Sequence, residues 1–137
     1  MDYNKAFELL NKSAEGGYSE GMNSLGHCYE NGIGTNVDNQ KAFELYQKAA
    51  NLGSMSGMNN LGWFYDCGIG TDINKQKAFE LYQKAANLEN SEAQYNLASM
   101  YENGDGIQKD TDQAIYWYKK SAEQGNEHAQ NKLKILY

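Results

Sequence analysis

QKAFELYQKAANL, residues Gln40 to Leu52, returns letter for letter at Gln76 to Leu88, an offset of 36 residues. An identity of that length at a fixed spacing marks a tandem repeat. The same period carries Ala6 to Ala42, Ala78 and Ala114, and Leu25 to Leu61, Leu97 and Leu133. In 137 residues the period fits a little under four times, above the roughly three copies that a stacked array needs. A unit of this size cannot bury its apolar face alone and must stack on its neighbours. The predicted units are 2–37, 38–73, 74–109 and a partial 110–137, forming a single domain.

Within the units, apolar residues recur at helical spacing, as Ala6, Phe7, Leu9, Leu10, Ser13 and Ala14 do behind the acidic start at Asp2. Gly16–Gly17 and later glycine pairs punctuate the pattern, since glycine closes a helix at little steric cost. Helices are predicted over Asp2–Glu15, Tyr18–Asn31, Asp38–Leu52, Ser54–Cys67, Asn74–Leu88, Asn90–Asn103, Asp110–Gln124 and Asn126–Tyr137, with Asp38 capping the third. Eight helices and no strand make an all-α chain. Proline is absent and no linker interrupts the array.

Small residues at Gly26, Gly62 and Ala98 let a neighbouring backbone come close, as do the alanine pairs Ala49–Ala50 and Ala85–Ala86. Tyrosines recur at Tyr29, Tyr65, Tyr101 and Tyr137, and on the partner helices at Tyr46, Tyr82 and Tyr118. We read them as packing between repeats, with hydroxyls near the edge. Trp117 shares its repeat position with Leu9, Leu45 and Leu81 and is read as core.

All 12 basic residues are lysine, against 18 acidic ones, and the net charge is −6 with a pI near 4.8. That balance argues against a nucleic-acid partner, and the lack of arginine removes the fork that grips phosphate at two points. No apolar run approaches the ~20 residues of a membrane span, and the start lacks the apolar core of a signal peptide. The expectation is a soluble, cytoplasmic chain, with the compartment of any longer parent left open. Cys28 aligns with Phe64 and Met100, and Cys67 with Asn31 and Asn103. Such mismatched positions predict two free thiols and no metal site.

The run Gly104-x-Gly106-Ile107-x-x-Asp110-x-x-x-Ala114-x-x-Trp117-Tyr118-x-Lys120-x-Ala122, preceded by Leu97-Ala98-x-x-Tyr101, resembles the Sel1-like repeat, a relative of the tetratricopeptide repeat. The likeness covers essentially the whole chain. Thr35 and Thr71 depart from it where an aliphatic residue is preferred, with Val37 and Ile73 expected to supply that contact. Lys134 departs from it at the small position of the last unit. The resemblance implies a right-handed α-solenoid acting as a scaffold for other proteins. It also implies that the Leu-Gly-x-x-Tyr helices, termed A, line a concave face and the Ala-x-x-x-Tyr helices, termed B, the convex one. In that frame the chain opens with an unpaired B helix and closes with an A helix, as an excerpt from a longer array would.

With Leu25 set in the interior and 100° per residue, Glu20, Asn23, His27, Glu30 and Asn31 fall on the opposite arc. Their equivalents are Ser56, Asn59, Trp63, Asp66 and Cys67, then Glu92, Tyr95, Ser99, Glu102 and Asn103, then His128 and Asn131, with Ser24, Asn60 and Asn96 at the border. Side-chain amides donate to and accept from peptide backbone, so the recurring asparagines are expected to hold an extended segment. The carboxylates Glu20, Glu30, Asp66, Glu92 and Glu102 are expected to steer in a basic or neutral one. Trp63 breaks the repeat, standing where the other units have His27, Ser99 and Ile135, and is the expected anchor.

Catalysis finds little in the residues. His27 and His128 sit in the first and fourth units, too far apart for a shared metal or an acid–base pair, and Cys67 beside Asp66 lacks an activating base. The Gly-x-Gly turns recur as punctuation and not as a phosphate loop. One branch of the resembled family carries paired cysteines and is linked to β-lactam binding or hydrolysis, but the corresponding Ala50 and Met58 here are not cysteine. The reading is a noncatalytic scaffold without cofactor that binds a protein or peptide. The alternatives are a spacer or oligomerisation element and, further off, a β-lactamase-like hydrolase.

Overall fold

A computed structural model describes residues 2–136. Its helices are α1 (Tyr3–Glu15), α2 (Ser19–Asn31), α3 (Asn39–Asn51), α4 (Met55–Cys67), α5 (Lys75–Asn87), α6 (Ser91–Asn103), α7 (Thr111–Glu123) and α8 (Glu127–Leu136). No strand occurs among the described residues, and the spans match those predicted from the repeat to within a residue or two. Tyr137, expected in the last helix and in the tyrosine series, lies outside the described residues.

The period begins with the caps. Asp2, Asp38, Asn74 and Asp110 stand at one repeat position, and each side chain accepts a hydrogen bond at 3.0 to 3.1 Å from the N–H three residues on. Such a cap is worth about 1 kcal/mol, because it satisfies an N–H that the helix leaves without a partner. The A helices α2, α4 and α6 close on Gly32, Gly68 and Gly104, all left-handed with φ of 62° to 72°. The second glycine of the turn serves a different need. A Cβ on Gly70 would lie 2.8 Å from the carbonyl oxygen of Asn39, so this position lets the turn touch the preceding B helix.

Each helix packs on the next in sequence, and α2 also touches α4, so A helices meet their own kind. The tyrosines of the B helices form the centre of each joint. Tyr46, Tyr82 and Tyr118 are wholly buried, deeper than the edge position expected of them. A Cβ on Gly26 would fall 2.8 Å from the Tyr46 ring, and one on Gly62 would fall 2.9 Å from the Tyr82 ring. The small residue is thus what lets the phenol lie flat on the A helix. Phe7–Tyr29, Phe43–Tyr65 and Phe79–Tyr101 repeat one edge-to-face pair with centroids 5.5 to 5.7 Å apart.

Trp117 is core, as expected. Leu9 at the same repeat position is exposed, because α1 has fewer neighbours than α7. The role expected of Val37 and Ile73 is corrected. They are 60% and 62% exposed and lie over Gly32 and Gly68, whereas Ile107, the aliphatic residue that follows the second glycine in the third unit, packs against the core.

Candidate functional site

The A helices bring the predicted residues together on one face, but many of them are engaged with one another. Asn60 Nδ2 donates to Asn23 Oδ1 at 2.8 Å, and Asn96 Nδ2 donates to Asn59 Oδ1 at 2.9 Å. Both bonds span 37 residues, one repeat plus one, so the amides stitch α2 to α4 and α4 to α6. Asn59 Nδ2 also donates to Glu92, at 3.3 Å, and Asn59 is only 4% exposed. The expectation that Asn59 offers its amide to a partner is therefore corrected. A helical wheel centred on Leu25 contains no second A helix, and it is the lateral A neighbours that cover this position. Asn23, Asn60 and Asn96 are half-buried and Asn131 is exposed.

The carboxylates are likewise held. Glu20 accepts from Ser54 Oγ at 2.8 Å. Tyr46 donates its hydroxyl to Glu30 and Tyr118 donates to Glu102, each at 2.7 Å and each across 16 residues. Glu102 also pairs with Lys132 at 3.3 Å. The middle joint differs. Asp66 stands where its equivalents are glutamate, and its carboxylate is engaged by Lys75, which reaches Asp105 at 3.1 Å as well. The Tyr82 hydroxyl is left without a hydrogen-bond partner among the described residues.

These environments move the ionisations in definite directions. Burial, then the hydrogen bond to Glu30 or Glu102, raises the Tyr46 and Tyr118 hydroxyls well above the phenol range. Burial, then the charge of Asp66, does the same to Tyr82. The hydrogen bond to Asp66 raises Lys75. Both cysteines are free thiols, Cys28 buried and Cys67 exposed. Burial raises each, and at Cys67 the Asp66 charge adds to it while Lys75 opposes. A thiol so placed is a poor nucleophile.

The same substitution should act oppositely at equivalent tyrosines. Tyr46→Phe strips a half-buried carboxylate of its donor and is expected to cost about 1.5–3 kcal/mol, as for a hydrogen bond to a charged group, and Tyr118→Phe, which leaves Glu102 its pair with Lys132, is expected to cost at least about 1 kcal/mol. Tyr82→Phe removes a buried hydroxyl that has no hydrogen-bond partner among the described residues and should be neutral or stabilising. Urea denaturation of the three variants checks the contrast. Equal losses at all three positions would refute the assigned partners.

What remains open on the face is aromatic and polar. Trp63 is 45% exposed in the middle of α4. Tyr95 is half-buried, tilted against Tyr118 and His128 at 5.6 and 5.9 Å. His27 is exposed and beside the Asn31 amide, while Ser99 accepts from Asn103 through its backbone oxygen at 3.0 Å. Beside these lies an open recess of about 370 Å³ between α2, α4 and the start of α6, with Asn23, His27, Asn60 and Glu92 on its walls. Ser56, Asn59, Asn90 and Ser91 complete it. Asn90 and Ser91 escaped the sequence reading because they register there only as the start of a helix. His27 on α2 and His128 on α8 belong to separate units, and no group of three metal-ligating side chains occurs among the described residues. No helix among them is long and apolar enough to cross a membrane.

Helical hairpins stacked at a 36-residue period define an α-solenoid. The Sel1 repeat family model matches residues 2–18, 19–54, 56–90 and 91–126, and the chain belongs to that family. It is similar to a protective antigen of uropathogenic Escherichia coli with the same repeat fold, at 35% identity and a TM-score of 0.86 over 96% of this chain and 28% of that one. A Sel1 repeat protein from Oxalobacter formigenes matches at 29% identity and a TM-score of 0.91, over 98% of this chain and 54% of the other. Cysteine-rich protein B of Helicobacter pylori matches at 26% identity and 0.73, over 91% and 95%. The chain thus spans about a quarter to a half of the first two structures. No curated protein matches its sequence.

Proposed function

We propose that this protein is a noncatalytic scaffold that takes a protein or peptide segment, basic or neutral in character, along the concave face of its A helices. One observation carries the reading. A tryptophan lies 45% exposed at the centre of that face, where the other units have His27, Ser99 and Ile135. Exposed aromatics at the centre of a surface are favoured anchors. The neighbouring recess supports it, because the bond from Asn60 to Asn23 leaves the Asn23 amino group and the Asn60 oxygen to the groove, one donor and one acceptor as a peptide unit requires. The carboxylates of Glu20, Glu30, Asp66, Glu92 and Glu102, although hydrogen-bonded within the chain, still give the face its sign.

Trp63→Ala is expected to abolish capture of a partner from cell extract while the helical circular dichroism stays unchanged. Undiminished capture would exclude a groove centred on that residue. A spacer or oligomerisation role is the second reading, favoured by Leu52 and Leu88, which stand half-exposed one repeat apart at the B-to-A turns. Defined oligomers in a light-scattering concentration series would favour it.

A further inference from the structure

The opposite face carries a second recess, independent of Trp63. Between the B helices α3 and α5 the side of α4 shows through, and Met58, Leu61 and Tyr65 form the floor of a recess of about 180 Å³ with Leu81 on its wall. Its rim is charged. Lys77 and Lys84 stand there with no ion-pair partner among the described residues, while Glu80, the one acid on the rim, accepts from the Gln76 amide at 3.3 Å. The acids of the A face are in the reverse condition, each held by a donor from the same chain.

The next repeat shows what a filled version looks like. At the place of Leu81 it has Trp117, only 7% exposed, with the Tyr116 ring packed edge-on at 5.0 Å and Lys120 above both rings at 5.7 to 5.8 Å. At the place of Met58 it has Gln94, fully buried, bonded to Ala86 O and to the Gln124 amide. The larger indole and the amide pair occupy there the space that Leu81 and Met58 leave between α3 and α5. A repeat made from the same segment twice is therefore open at one joint and closed at the next.

We propose that the α3–α5 groove is a second docking site, for a partner segment that inserts one large apolar side chain between flanking acidic residues. The floor Met58, Leu61 and Tyr65 takes the apolar group, and methionine at the floor adapts to its shape. The unpaired ammoniums of Lys77 and Lys84 take the carboxylates, which gives the groove a preference opposite in sign to that of the A face. With one site on each face the protein would bridge two segments of opposite charge.

The test is a titration of the ¹⁵N-labelled chain with acetyl-Asp-Glu-Phe-Glu-Asp-amide and with its lysine counterpart, acetyl-Lys-Lys-Phe-Lys-Lys-amide. The acidic peptide is expected to shift the amides of Ala50, Leu61, Lys77 and Lys84, and the basic one to leave them in place. Leu81→Trp, which copies the next repeat and so keeps the fold, should weaken the acidic peptide at least tenfold. Lys77→Glu with Lys84→Glu should do the same without touching the core. Trp63→Ala should leave this binding intact, which separates it from the A-face reading. Equal shifts with both peptides, binding that survives Leu81→Trp, or no shift with the acidic peptide would each overturn the proposal.

Discussion

Between pH 10 and 11.5 the protein is expected to unfold cooperatively, with the tyrosine absorbance at 295 nm rising as the helical signal falls. Tyr46, Tyr82 and Tyr118 are wholly buried, and burial holds each hydroxyl protonated far above its ordinary value. In the unfolded chain a phenol titrates near 10. A group whose folded pKa is raised contributes stability that is complete below the unfolded value and lost as pH climbs above it. Above pH ~10 the unfolded state binds fewer protons than the native one, and each such tyrosine removes about 1.4 kcal/mol per pH unit. Three acting together remove about 4 kcal/mol per unit, and over 1.5 units about 6 kcal/mol, within the 5–15 kcal/mol that holds a typical domain. Lys75, raised by its bond to Asp66, pushes in the same direction. Ionisation of all the tyrosines near pH 10 with helicity retained would show that these rings are not sealed in.

Tyr46→Ala is expected to unfold the first two helices while the later ones persist. The ring is buried against Gly26, meets Phe64 edge-on at 5.1 Å, and donates its hydroxyl to Glu30. Truncating a buried aromatic costs about 3–5 kcal/mol through lost transfer and the cavity left behind. Stripping Glu30 of its donor adds about 1–3 kcal/mol. A solenoid transmits such a loss only to adjacent units, so α1 and α2 should detach and α5 to α8 should hold. Hydrogen exchange by mass spectrometry would show protection lost over residues 3–31 and kept over 75–136. Uniform loss along the chain would mean that the array folds as one unit after all.

The fold was legible because its signals are local and repeated. The exact recurrence of QKAFELYQKAANL, the acid or amide before each B helix and the glycine pair after α2, α4 and α6 place the helices without reference to tertiary structure. The site was legible only in part. Trp63 stood out because it breaks a period, and its exposure needs no knowledge of neighbours. Asn59 did not reveal its burial, because a wheel describes one helix and the residues that cover Asn59 come from α6, 33 and 37 residues away. The hydroxyl of Tyr82 differs from those of Tyr46 and Tyr118 for a reason equally distant in the chain. Asp66 for glutamate is visible in the sequence, but the capture of its carboxylate by Lys75 depends on how two repeats meet. The α3–α5 recess went unseen because it arises from what Leu81 and Met58 fail to fill.

The joints of this array are not fastened alike. The first and third are closed by a buried phenol on a half-buried carboxylate, and at the third Lys132 pairs with the same carboxylate at 3.3 Å. The middle one relies on an ammonium, one-third accessible, shared between two carboxylates, an arrangement that salt screens. Ionic strength is therefore a dial that slackens the centre of the superhelix more than its first joint, so the curvature offered to any bound segment is set partly by the surrounding electrolyte.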